Sequence, residues 1–290
     1  MKTTEVLQGV KREAISMVKV VTLLENTKET SELKCKHGLS LYIETEKHKI
    51  LFDTGPNALF LKNAETLGVD VADIDIAIIS HGHIDHCGGL KYFLEKNRKA
   101  KIYIRPEATE KHYVKVLGIP FYVGLGNAFF SFKRFVFTKA AHVIDDEIML
   151  FSNVTGQFLL PKSDDNLFVK RHGKMIPDDF CHEQNLVITS GESRILVCGC
   201  AHAGIVNIVR RAKSLIGSEP TAVIGGMHLY EPTKKRYESN EYIAEISAAL
   251  AEGKSSYHTC HCTGEKAYEK MKFCLGERLT YLRTGSEIRV

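Results

Sequence analysis

The chain reads as an α/β protein in which two sheets pack together with helices on their outer faces. Two observations carry this: each half of the sequence opens on a hairpin pattern, and each hairpin gives way to alternating helix and strand signals. A third sets the scale. With 290 residues, 44% hydrophobic and 26% charged, the chain matches an ordinary soluble globular protein with a sizeable core.

The elements follow in order. Residues 1–16 are polar and are expected to form an N-terminal extension, ahead of a single domain over 17–290. The run "MVKVVTLL" is short, is interrupted by Lys19, and reads as a strand rather than a secretory segment. "GLSLYIET" and "KHKILFDTG" pair as a hairpin. "NALFLKNAETLG" has apolar residues at helical spacing and a plausible C-cap in Gly68. "IDIAIIS" is a buried strand that runs into "HGHIDHCGGL", after which "GGLKYFLEKN" continues as an amphipathic helix. In the second half, "NLVITSGESRILVCGC" is a hairpin, "GIVNIVRRAKSLIG" a helix, "TAVIGG" a strand and "ESNEYIAEISAALAEG" a helix. "SSYHTCHCTG" closes as strand and loop before a last helix, "EKAYEKMKFCLG". Residues 118–181 are weakly patterned and are expected to form an insertion or lid over the site.

Composition narrows the function classes. A net charge of +4 suits a small anionic molecule and is too weak to argue for nucleic acid. No apolar stretch has the length of a membrane span. Without an export signal, the eight cysteines read as free thiols, so a cytoplasmic location is expected. A small-molecule substrate is the expected partner, and a homo-oligomer is compatible with the composition.

The segment "HGHIDH" sets His81, His83, Asp85 and His86 at the junction of a buried strand and a helix. Alternate residues share a face, so His81 and His83 turn to one side, and Asp85 and His86 can face the same point. Imidazoles and a carboxylate suit zinc, iron or manganese.

This motif, together with "ILFDTG" and its Asp53, resembles the signature of the metallo-β-lactamase superfamily. "HGLSLYIE", "LVCGCAHAGIVN", "GGMHL" and "HCTG" are similar to one branch, the hydrolase-like family named for a dihydropterin-ribofuranosylaminobenzene phosphate synthase. The resemblance implies an αββα sandwich of two mixed β-sheets flanked by helices, with metals in the cleft between the sheet edges. It implies His81, His83, Asp85 and His86 as the first ligand group and His261 as the last. Where most of the superfamily places a bridging aspartate, this chain has Cys200. A thiolate is softer, which favours zinc, as one or two ions, over iron or manganese. His202 is an alternative ligand beside it. The remaining histidine ligand is assigned to His182, with Asp178, Asp179 and Glu183 nearby. His228 is expected to face the site and act on the substrate, with a core histidine as the competing reading, and His37 is expected near the cleft. Cys260 and Cys262 are taken as strand residues alternating around His261, and His48, His112, His142, His172 and His258 as surface or turn histidines.

A metal-activated water, with Asp85 orienting it or taking its proton, points to hydrolysis or a related transfer. The branch name suggests a phosphorylated or pterin-like substrate. The aromatic stretch 121–137, with Lys133 and Arg134, is a candidate stacking surface, and Arg171 in "KRHGK" a candidate phosphate partner. Two other readings stand beside this one: a ribonuclease of the same superfamily, and a non-catalytic metal-containing sensor of a small ligand.

Overall fold

The computed structural model describes residues 17–126 and 133–290; the expected extension over 1–16 lies outside the described residues. Two seven-stranded sheets face each other. In the first the order is Glu287–Arg289, Lys19–Leu24, Ser40–Glu44, Lys49–Phe52, Ile76–Ile78, Lys101–Ile104 and Phe135–Phe137. In the second it is Leu279–Tyr281, Ser256–Thr259, Ala222–Gly225, Ser193–Val197, Gln184–Ser190, Ile148–Ser152 and Ala141–Val143.

The expected hairpins form with the registers that their alternation dictates. Ser40–Glu44 pairs with Lys49–Phe52 so that Leu41 opposes Phe52 and Glu44 opposes Lys49. Gln184–Ser190 pairs with Ser193–Val197 around a turn at Gly191, where φ is +54°. Strand alternation then sorts the side chains into layers. Ile50, Phe52, Ile76 and Ile78 from one sheet meet Leu186, Ile188, Ile195, Val197 and Ile224 from the other. On the outer face of the first sheet, Leu51, Ala77 and Ile102 pack on Phe60, Ala64, Leu90 and Phe93, which come from helices Leu59–Thr66 and Leu90–Lys96. On the outer face of the second, Leu196 and Val223 pack on Ile205, Ile208, Ile243, Ile246 and Met271, from helices Ile205–Ile216, Asn240–Ala251 and Glu265–Leu275. The result is helix, sheet, sheet, helix.

The segment 118–181 is divided rather than forming one unit. Phe135–Phe137 joins the first sheet, and Ala141–Val143 and Ile148–Ser152 join the second. Ile119–Tyr122, Leu167–Arg171 and Lys174–Pro177 form a small sheet with Lys111–Val116. That small sheet stands against the cleft: Ile84 N–H donates to the Val123 carbonyl at 2.7 Å, and His83 bridges to Gly124.

At the opposite end of the sandwich, the loop between the first hairpin strands meets the loop before Ile148. His48 touches Asp75 through Nδ1 at 2.8 Å and Asp145 through Nε2 at 2.5 Å. Thr45 donates to Glu147 at 2.6 Å.

Candidate metal centre

Strand ends deliver the site. Ile76–Ile78 is buried on both faces and stops where Ser80, His81, Gly82 and His83 turn across the sheet edge. From the second sheet, the loops after Ser193–Val197, Ala222–Gly225 and Ser256–Thr259 bring Cys200 and His202, His228, and His261 respectively. Four residues there have positive φ without being glycine: Asp53 at +61°, Ala201 at +61°, His228 at +48° and His261 at +51°. Such conformations cost of order 1–3 kcal/mol each and gather at functional sites. Gly199 is needed for a different reason. A Cβ there would lie 2.3 Å from Ser80 Oγ and 3.2 Å from His81 Nδ1, so only glycine lets the two sheets' loops meet.

Four imidazoles share one arrangement, an acceptor behind Nδ1. His86 Nδ1 meets Asp53 Oδ2 at 2.6 Å. His81 Nδ1 meets Ser80 Oγ at 2.8 Å, and that hydroxyl donates to Asp53 at 2.6 Å. His202 Nδ1 meets Asp164 at 2.7 Å, and His261 Nδ1 meets Asn26 Oδ1 at 2.9 Å. With the proton held on Nδ1, the Nε2 lone pairs turn inward. There His86 Nε2 lies 3.1 Å from His261 Nε2 and 3.1 Å from Cys200 Sγ. The Nε2 atoms of His81 and His202 are buried without any hydrogen-bond partner. Two buried, unpartnered imidazole nitrogens beside a thiol and two further rings make a donor set that fits a cation.

Electrostatics agree with that fit for His81 and His202 and oppose it for His86. Burial, reinforced by the surrounding imidazoles, holds His81 well below its ordinary pKa, and burial lowers His202 to about 4. Both are therefore neutral donors. Burial would also lower His86, but Asp85 and Asp53 outweigh it and raise it to about 9 in the metal-free chain. For Asp85, burial works upward and is overcome by His86, His261 and His37, which hold the carboxylate well below its usual range. Asp85 Oδ2 sits 3.3 Å from His261 Nε2, 3.5 Å from His86 Nε2 and 3.3 Å from His37 Nε2.

Behind His83 lies a second layer. Asp178 accepts from His112 Nδ1 at 2.8 Å and lies 3.3 Å from His182 Nε2 and 3.9 Å from His83 Nε2. Gly82 N–H donates to His182 Nδ1 at 3.0 Å. His182 Nδ1 thus holds the loop between His81 and His83, while its Nε2 is buried without a hydrogen-bond partner, and with His83, His112 and Asp178 it forms a second group of donor atoms close enough to hold a cation. His112, expected at the surface, is fully buried in this network. The reason is strand pairing: Val169 opposes His112 in the small sheet, which sets its ring against the polar turn 178–182.

Other expected residues divide between cleft and periphery. His37, His83, Asp85, Cys200, His202, His228 and His261 all line a cleft of about 180 Å³. Lys133, Arg134 and Arg171 do not line it. Arg134 is consumed by the carbonyls of Ala100 and Asn97 at 2.9 and 2.8 Å, and Arg171 by Glu110 and Asp179. Lys133 is exposed, and Phe129, Phe130 and Phe132 of the aromatic stretch lie outside the described residues. Cys260 and Cys262 do not alternate along a strand, because Ser256–Thr259 ends before them and His261 opens a 3₁₀ turn. Cys260 faces the core between the sheets, while Cys262 joins the cleft.

Of the carboxylates that hold the loops, sequence reasoning missed Asp164 and Glu25 and named Glu183 only as a neighbour of His182. Asp164 receives both His202 Nδ1 and His228 Nε2, at 2.7 and 3.0 Å. Glu183 accepts the backbone N–H groups of His202 and Ala203 at 2.8 and 3.0 Å, and Glu25 that of His261 at 2.7 Å. Their only sequence signal is an acidic residue beside an element end.

Residues 33–212 match the profile of the metallo-beta-lactamase superfamily. The chain is 29% identical, over 95% of its length and 97% of the relative's, to a 7,8-dihydropterin-6-methyl-4-(beta-D-ribofuranosyl)-aminobenzene-5'-phosphate synthase of Methanocaldococcus jannaschii. It is also 29% identical to an uncharacterized protein of the same organism, over 88% of this chain and 93% of that one. Among solved structures it is similar to Tm1679, a metal-dependent hydrolase of the beta-lactamase superfamily. That match has a TM-score of 0.77 and 28% identity, and it covers 94% of this chain and 99% of the other.

Proposed function

The chain belongs to the metallo-beta-lactamase superfamily, and on that premise we propose that it is a metal-dependent hydrolase, or a related transferase, acting on a small molecule. The observation that carries this is the convergence of Nε2 atoms from His81, His86, His202 and His261, two of them buried without partners. In this reading His81, His83 and His202 hold one divalent ion, Asp85, His86 and His261 a second, and Cys200 stands between them. Zinc is the preferred element, because it accepts imidazole, carboxylate and thiolate together. His182 is a positioning residue.

A bound divalent ion supplies Lewis acidity, making water acidic near neutral pH and drawing electron density from a carbonyl or phosphoryl oxygen. The chain's own groups arrange the rest. Asp85, kept ionised by His86, His261 and His37, is placed to orient a water and take its proton. His37, two-fifths exposed at 3.3 Å from Asp85, can pass that proton to solvent. Val114, Val123 and Leu167 wall the cleft, with Ser163, Asn166 and Thr233 among them. Apolar walls with a few polar groups suit a flat heterocycle such as a pterin.

The test is Asp85→Asn. Turnover of a panel of phosphodiester, thioester and pterin-derived substrates should fall by at least about 100-fold, as expected for a lost general base. Absence of turnover by the metal-loaded wild type across that panel would leave the sensor reading in its place.

A further inference from the structure

One cluster beside the centre is not used by this mechanism. The donor atoms of Cys200, His228 and Cys262 lie within 4.8 Å of one another, and all three residues are buried and line the cleft. His228 has the same wiring as the ligand histidines, but reversed. Asp164 takes its Nε2 at 3.0 Å, and its Nδ1 is left buried without a partner. Cys262 Sγ accepts the backbone N–H of His228 at 3.3 Å, a bond of the kind that supports a thiolate at a metal. The room for this sulfur is specific. A Cβ on Gly226 would lie 2.4 Å from Cys262 Sγ, so glycine is required there for the thiol to turn into the cleft.

We infer that Cys200, Cys262 and His228 form a further metal pocket, sulfur-rich and selective for a thiophilic ion such as zinc, which shares Cys200 with the histidine centre. The inference rests on the proposed function in one respect, the placing of Cys200 between the two sites. Two thiolates and one imidazole make three protein ligands, leaving an open position toward the cleft, as in catalytic zinc sites.

The experiment uses Co(II) as the probe on the full chain, read by elemental analysis and by thiolate-to-cobalt charge-transfer absorption. The wild type should hold one cobalt more than Cys262→Ser, and in that variant the band should fall by roughly half, one of two thiolates being gone. An unchanged cobalt content and band in Cys262→Ser overturns the inference. Should that variant lose its circular dichroism, His228→Ala spares both thiols and must show the same loss of one cobalt; full retention is equally fatal. A double variant, His81→Ala with His86→Ala, separates the two readings. If it removes no cobalt, the histidine centre fails, while a band that still depends on Cys262 keeps the sulfur pocket.

Discussion

The two sheets are wound alike, with four strands joined antiparallel and then three added in parallel, yet they supply the cleft in different ways. The first sheet delivers His81, His83, Asp85 and His86 on one loop, and a single carboxylate, Asp53, braces it by receiving Ser80 N–H, Ser80 Oγ and His86 Nδ1. The second delivers Cys200, His202, His228 and His261 on three loops, braced by acids brought from elsewhere: Glu183 and Asp164 at His202, Asp164 again at His228, and Glu25 at His261. Similar winding therefore supports two strategies. One concentrates its histidines on one loop with one bracing carboxylate, and the other spreads both.

The comparison predicts unequal damage. Asp53→Ala strands three buried donors at once and should cost about 3–5 kcal/mol, read as a shift of the urea midpoint; a loss under about 1 kcal/mol would mean that the backbone contacts of Gly82 with His182 and of Ile84 with Val123 carry the loop without it. Glu183→Gln comes next, through its pH dependence. Burial raises the Glu183 carboxyl to about 7, so the folded chain holds a proton that the unfolded chain has released above pH about 4.5. Its contribution therefore falls as pH rises from there to about 7, by up to about 3 kcal/mol. In metal-free protein, the wild-type minus variant stability should show that decline, and a flat difference would refute the assignment.

Asp164→Asn should weaken metal binding by about 10–100-fold, measured by competition with a chelator. It should leave metal-free stability closer to wild type than Asp53→Ala does, since only one loop pair is touched. The smallest effect lies at the far end of the sandwich. Burial would lower His48, but Asp75 and Asp145 raise it. The stability it adds is present below its unfolded pKa of about 6.5 and is lost as pH rises through the folded value. His48→Gln should cost under about 1 kcal/mol at pH 5 and less as pH rises through the folded value, with no change in metal content.

The same contrast explains what could be read in advance. The hairpins, the alternation of helices and strands, and "HGHIDH" are local patterns, legible because hydrophobic period and ligand spacing operate over a few residues. Cys200 and His261 became visible only through resemblance, since each is a single residue on its own loop. Asp164 lies in "KSDDN", which by composition is indistinguishable from a surface turn. His112 and Asp178 stand 66 residues apart and meet only through strand pairing in the small sheet. Residues 118–181 lacked a pattern because they serve three sheets, so no single period runs through them.

One pairing described above bears on how the molecule is made. Strand Lys19–Leu24 is completed by Glu287–Arg289, and Glu25, at the end of that early strand, receives His261 N–H and the Tyr281 hydroxyl. During synthesis the "HGHIDH" loop and its Asp53 brace emerge long before these partners exist. The histidine loop is therefore synthesised well before the His261 and Tyr281 partners of Glu25. Assembly of the full cleft waits on contacts of very high sequence separation, the slowest kind to form. The two halves of the cleft are thus separated in the order of synthesis as well as in the fold.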